Sequence, residues 1–182
     1  PRRGVLIAAA PRIGKTSFAL TQHDPSMGPL VILAPLDVRK VWLDWIERVF
    51  PGAEVLVLAG RVPDVQAMLR ADVIFGHYDV VVHQRVTGVV PGTLIVDEAH
   101  LLSNPKSLRS AGVRFFAGSA KRVIVLTGTP LWNKTRGLWP LLATTNPGAW
   151  GGKPFQFAQR YCSPVMSEYG WVYGETSNVE EW

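Results

Sequence analysis

The apolar positions of the chain gather in six short runs, at residues 5–9, 30–34, 55–58, 73–75, 94–96 and 123–126. Each run is partly β-branched and bounded by Gly, Pro or a charged residue. Uninterrupted apolar runs of this length suit strands covered on both faces, as inside a parallel sheet. Segments with helical spacing lie between them. The clearest is 38–49, where Val38, Val41, Trp42, Trp45, Ile46 and Val49 fall on one stripe at i, i+3, i+4, i+7, i+8 and i+11. Asp37 is placed to cap this helix and Pro51-Gly52 to stop it. Further helices are expected at 15–21, 64–70 and 107–116, with a short one around Leu138, Leu141 and Leu142. Alternating strands and helices predict an α/β fold of three layers with a mostly parallel central sheet. From Asn146 onward Gly, Pro and aromatic residues dominate and no strand pattern stands out. The expected division is a sheet domain at 1–145 and an extension at 146–182.

Composition narrows the class. Of the 182 residues, 47% are hydrophobic and 18% charged, a balance that fills a core and excludes a disordered chain. No apolar run approaches the roughly 18 residues needed to span a bilayer, so no membrane span is expected. A net charge of +5 favours phosphate-rich partners without demanding them. The single cysteine, Cys162, has no partner for an internal disulfide and reads as a small apolar residue in a reducing compartment. The opening Pro1-Arg2-Arg3 followed by apolar residues imitates a signal peptide, but its apolar part is too short. The missing initiator Met points to a chain cut from something longer.

Three motifs carry chemistry. Ala9-Ala10-Pro11-Arg12-Ile13-Gly14-Lys15-Thr16 follows the first expected strand and opens a helix, the context a phosphate loop requires. Backbone N–H groups at the helix start offer an anion site there, and the segment from Ala10 to Thr16 is the candidate nucleotide-phosphate loop. Lys15 suits the β- and γ-phosphates, and the Thr16 hydroxyl suits Mg²⁺. Next, Asp97 and Glu98 directly follow the run 94–96. Paired carboxylates after a buried strand are costly unless something uses them, and the carboxyl end of a parallel strand faces the ligand crevice. Asp97 is the candidate Mg²⁺ ligand and Glu98 the candidate group that orients and activates water, so Glu98, Lys15 and Asp97 are the catalytic candidates. Last comes Thr127-Gly128-Thr129-Pro130, whose two threonines are placed to hydrogen-bond across to the acidic loop.

In this order the motifs resemble superfamily 2 helicases, most closely the N-terminal RecA-like lobe of Swi/Snf-type translocases. Pro35 through Val38 with Trp42 and Trp45 resembles motif Ia of that group, and Gly76-His77-Tyr78-Asp79 its motif Ib. Asp97-Glu98-Ala99-His100 with Asn104 resembles its DEAH box and continuation, and Thr127 through Asn133 its motif III. The resemblance covers nearly the whole chain. It implies a RecA-like P-loop NTPase fold, ATP and Mg²⁺ as substrate and cofactor, DNA-dependent ATP hydrolysis, and movement along duplex or branched DNA. It also implies a second RecA-like lobe as partner, and a cytoplasmic or nuclear setting. His100, Thr127 and Thr129 would couple nucleotide to track, and Arg39, Lys40, Lys134 and Arg136 would meet DNA phosphates. A lobe by itself would turn ATP over near background.

Two positions depart from the pattern. Ala9 stands at the first glycine of the loop, and Arg12 stands where a glycine is usual. A glycine there takes φ > 0 without steric cost and an arginine does not. A nucleotide-responsive DNA- or protein-binding module without effective turnover therefore stays open as an alternative. A nucleotide kinase is disfavoured by the Thr-Gly-Thr-Pro motif and the Trp-bearing helix. Trp42 and Trp45 are expected in the core, while Trp132, Trp139 and Trp150 are undecided. His23, His77 and His83 have no metal-ligand spacing.

Overall fold

The computed structural model describes residues 4–10, 12–86, 88–128, 135–174 and 176–178. The six apolar runs become β1 (Gly4–Ala8), β2 (Leu30–Ala34), β3 (Val55–Val57), β4 (Val73–His77), β5 (Thr93–Val96) and β6 (Arg122–Thr127). They form one sheet in the order β1-β6-β5-β2-β4-β3, with every neighbouring pair parallel. The chain moves outward across the sheet from β1 to β2 to β3, then returns through β4 and β5 to β6. Parallel crossovers are right-handed, so reversing direction moves the connecting helices to the opposite face. Accordingly α1 (Lys15–Thr21) and α2 (Arg39–Val49) cover one face, and α3 (Val65–Arg70), α4 (Tyr78–Val81), α5 (Leu108–Ser119) and α6 (Trp139–Thr145) cover the other.

Side-chain alternation divides the core in two. Leu30, Ile32 and Ala34 pack with Ala19, Leu20, Trp42 and Ile46 on the first face. Val31 and Leu33 pack with Met68, Tyr78, Val113, Phe116 and Leu141 on the second. All five residues of β2 are 0% exposed, and burial contributes about 1.5–3 kcal/mol for each large aliphatic side chain. The central strands therefore dominate stability and fix the register on which the site depends.

Several expectations need correction. β1 is an edge strand, not a strand buried on both faces: Val5 is 48% exposed. Asp37 does not cap α2. It lies inside a 3-10 turn, Leu36–Val38, that leads into the helix without a side-chain cap. Val41 drops off the predicted stripe and is exposed, whereas Trp42 and Ile46 are buried. The Gly76–Asp79 stretch is divided between two elements: Gly76 and His77 finish β4, and Tyr78 opens the short helix α4. Asp64 and Ser107 do cap α3 and α5, accepting from the N–H groups of Ala67 and Ser110.

The segment after Asn146 has more order than its sequence announces. It contains α7 (Pro147–Trp150), α8 (Pro154–Tyr161) and an antiparallel hairpin of β7 (Pro164–Ser167) and β8 (Gly170–Tyr173). The hairpin escapes a pattern search because Val165, Met166, Trp171 and Val172 are all exposed, so no polar–apolar alternation marks it. Trp139, Ala143, Phe157, Ala158 and Cys162 form a third apolar cluster. Trp150 meets Phe157 edge-on at 5.7 Å, and Trp139 Nε1 donates to the Trp150 carbonyl at 2.9 Å. α6 serves both regions, with Leu141 in the sheet core and Trp139 in the third cluster. Among the described residues no helix is long and apolar enough to cross a membrane.

Candidate active site

Because every strand of the six-stranded sheet is parallel, the loops after β1, β2, β4, β5 and β6 all leave the same edge of that sheet. β6 lies between β1 and β5 and holds both in register: Leu6 and Val96 each pair with Val125. Two strand spacings are about 9–10 Å. The loop after β1 and the acidic pair after β5 therefore flank β6 on one edge, within reach of a single polyphosphate.

Gly14 begins α1 in the left-handed region, at φ 87°. Lys15 folds over the loop, its Nζ donating to the carbonyls of Ala9 at 2.6 Å and Ala10 at 2.7 Å. The ammonium is thus held at the mouth of the loop by neutral acceptors. Ile13 is 62% exposed, leaving the loop's rim open. Arg12 adopts φ 66°, the glycine-favouring region, despite its side chain. The arginine therefore does not rebuild the loop; it tolerates strain of about 1–3 kcal/mol. Arg12→Gly is expected to raise stability by about 1 kcal/mol, the strain relieved less the entropy of a freer unfolded chain. A rise in the urea midpoint at constant slope is the readout, and an unchanged or lower midpoint would mean that the side chain makes compensating interactions.

Asp97 is buried, and both of its oxygens are used. Oδ2 accepts from Trp42 Nε1 at 2.9 Å and Oδ1 accepts from the Glu98 N–H at 2.9 Å. Burial pushes its carboxyl above the usual carboxylate range, and the charge of Glu98 adds to this. The two N–H donors and the nearby Lys15 ammonium act in the opposite direction. A carboxyl raised in this way loses favourable folding free energy as pH climbs through its folded pKa, and a cation beside it offsets that loss. Among the described residues no group of three His, Cys, Asp or Glu side chains forms a metal cage. Asp97 accepts only two side-chain hydrogen bonds, so its carboxylate keeps lone pairs that suit a hard cation arriving with most of its own ligands.

Glu98 is also in the left-handed region, at φ 47° and ψ 45°. Its side chain is one-third exposed, and its Oε2 lies 3.2 Å from His100 Nδ1 without hydrogen-bond alignment. Strain at a non-glycine residue that presents a carboxylate beside a phosphate loop is the kind found at functional sites. Thr127 ends β6 between the two loops, buried, with its carbonyl accepting from the Ala9 N–H at 3.1 Å.

Sequence reasoning missed two residues here. The apolar stripe places Trp42 in the core, and it is buried, but its N–H is spent on Asp97. Tyr78 donates its hydroxyl to the Asp97 carbonyl. The available signal was that buried Trp and Tyr must find a polar partner. Of the phosphate-contact candidates, Arg39 and Lys40 are exposed at the start of α2, with Lys40 paired to Asp44 at 2.9 Å. Arg136 sits 4.7 Å over the Tyr173 ring. Pro11, Thr129, Pro130, Trp132, Asn133 and Lys134 lie outside the described residues.

Comparison with known proteins meets this geometry. The profile of the SNF2-related domain matches residues 4–180. The chain belongs to the SNF2-related domain family. One SNF2-type relative is the SWI/SNF-related matrix-associated actin-dependent regulator of chromatin subfamily A-like protein 1 of Xenopus tropicalis. It is 26% identical over 97% of this chain and 19% of its own length. The human subfamily A member 1 protein is 31% identical over 63% of this chain and 12% of its own length. The chain thus spans about a fifth or less of these SNF2 relatives. Among solved structures, the Sulfolobus solfataricus SWI2/SNF2 ATPase core in complex with dsDNA superposes with a TM-score of 0.72 at 25% identity. The match covers 88% of this chain and 35% of that one. The RecA-like architecture expected from the motifs is therefore that of the SNF2 ATPase core.

Proposed function

We propose that this chain is the ATP-binding lobe of an ATP-driven DNA translocase, with Lys15, Thr16, Asp97 and Glu98 as its hydrolytic centre. The supporting observation is the shared register through β6, which brings the phosphate loop and the acidic pair to one edge with the Lys15 charge acting on Asp97. Lys15 would release the Ala9 and Ala10 carbonyls and take the β- and γ-phosphates instead. Thr16 and Asp97 would hold Mg²⁺, which neutralises charge developing on the phosphate oxygens. Glu98 would accept the proton of a water attacking the γ-phosphorus as the bond to the β–γ bridging oxygen breaks. A second lobe would close over the open rim at Ile13. Retention of Glu98 argues against a binding module without turnover, which has no need of a water-activating acid.

DNA is the proposed track, along the edge that carries the Pro35–Lys40 turn and the start of α4. The deciding experiment is ATP hydrolysis with and without duplex DNA, in a protein joining this lobe to a second one. Rates indifferent to DNA would sink the translocase reading. Arg39 and Lys40 offer a finer check. An exposed pair such as Lys40–Asp44 contributes little to stability, so replacing both cations with Ala should leave folding intact. The slope of log affinity against log salt should fall by about 1 for each phosphate that is no longer neutralised. An unchanged slope would remove both residues from the interface.

A further inference from the structure

The hydrogen bonds on Asp97 come from an unexpected direction. Neither Trp42 nor Tyr78 belongs to the phosphate loop or to the acidic loop. Trp42 stands 55 positions before Asp97 in sequence, on α2, and Tyr78 stands 19 positions before it, at the first residue of α4. One bonds the side chain and the other the main chain of the same residue. Trp42 is 1% exposed and Tyr78 3% exposed, so neither donor has water as an alternative partner. Packing alone needs only the rings. The buried residues of this face are otherwise aliphatic except for Phe75, and phenylalanine at position 42 would fill much of the same space. The indole N–H has instead found the one buried carboxylate of the site.

We propose that Trp42 is a positioning residue that fixes the orientation of the Asp97 carboxylate for the metal, with Tyr78 anchoring the Asp97 main chain. This rests on Asp97 being a magnesium ligand, as proposed above. The geometric reason is lone-pair occupancy. With Oδ2 committed to the indole and Oδ1 to the Glu98 N–H, rotation of the carboxylate is restrained, and its remaining lone pairs are left for a cation. Partners that orient a metal-binding carboxylate from outside its coordination shell typically govern metal affinity by about 10–100-fold. The arrangement has a mechanical consequence. α2 follows directly from the Leu36–Val38 turn and α4 directly from β4, so a shift of either helix would act on Asp97 through a hydrogen bond.

The test is Trp42→Phe in this chain. It keeps most of the ring volume and deletes the donor. Binding of ATP is measured by calorimetry across a magnesium series and again in EDTA, with far-ultraviolet circular dichroism as the folding control. The expected result is a tenfold or greater rise in the magnesium concentration needed for half-maximal tightening, with affinity in EDTA unchanged. Equal loss in both conditions would make Trp42 a packing residue only, and an unchanged magnesium dependence would likewise overturn the proposal. Should Trp42→Phe not fold, Tyr78→Phe decides by the same two criteria. A parent chain whose ATP binding ignores magnesium would instead overturn the assignment of Asp97, a failure distinguishable from the first.

Discussion

Glu98→Gln is expected to lower ATP hydrolysis by about 10²–10⁴-fold while leaving Mg²⁺–ATP affinity within about threefold of the parent. The amide keeps the size and the hydrogen-bonding reach of the carboxylate but cannot take a proton from water. Binding should survive because Glu98 is not part of the phosphate cradle. Its main-chain N–H continues to donate to Asp97 Oδ1, and that bond does not depend on its side chain. The φ of 47° at this residue persists in the variant, so any loss of rate is not a consequence of a rebuilt turn. Parallel measurements of equilibrium nucleotide binding and of hydrolysis with duplex DNA distinguish the outcomes. Unchanged hydrolysis would remove Glu98 from the role of base, whereas parallel loss of binding and rate would make it a structural member of the site.

Lys15→Ala should act at the earlier step. Truncating one partner of a desolvated, hydrogen-bonded charge pair costs about 2–5 kcal/mol, so Mg²⁺–ATP affinity should fall about 30-fold or more. In the free protein the ammonium is satisfied by two carbonyls of its own loop, which are open to water once the side chain is gone. The fold itself should therefore tolerate the change, because neither Ala9 nor Ala10 belongs to the buried core. A variant that keeps parental affinity in calorimetry would show that the phosphates bind elsewhere. The two variants fail differently by design: one retains nucleotide without turnover, and the other loses nucleotide.

Much of the frame was legible in the chain itself. Residues 30–34 and 94–96 read as strands covered on both faces because each is short, partly β-branched and apolar throughout, and the sheet buries them on both faces. The loop ending in Gly14-Lys15-Thr16 and the acids at 97 and 98 were visible because each directly follows such a run. Local caps were legible where one side chain meets one nearby N–H, as at Asp64 and Ser107. The Asp37 prediction failed by the same reasoning, because a 3-10 turn moved the start of α2 one residue onward.

What the sequence by itself determined was the set of elements and the chemical groups at their ends, since both follow from local periodicity and turn chemistry. Tertiary structure alone decided strand order, and with it the placement of β6 as the spacer that aligns Lys15 with Asp97. It also decided that β1 lies at an edge, that an exposed hairpin follows α8, and that Trp42 and Tyr78 turn their donors toward Asp97, many positions away. The physical reason is the range of the information. Periodicity reports which face of an element is dry, but the partner of a buried donor depends on which distant element packs there.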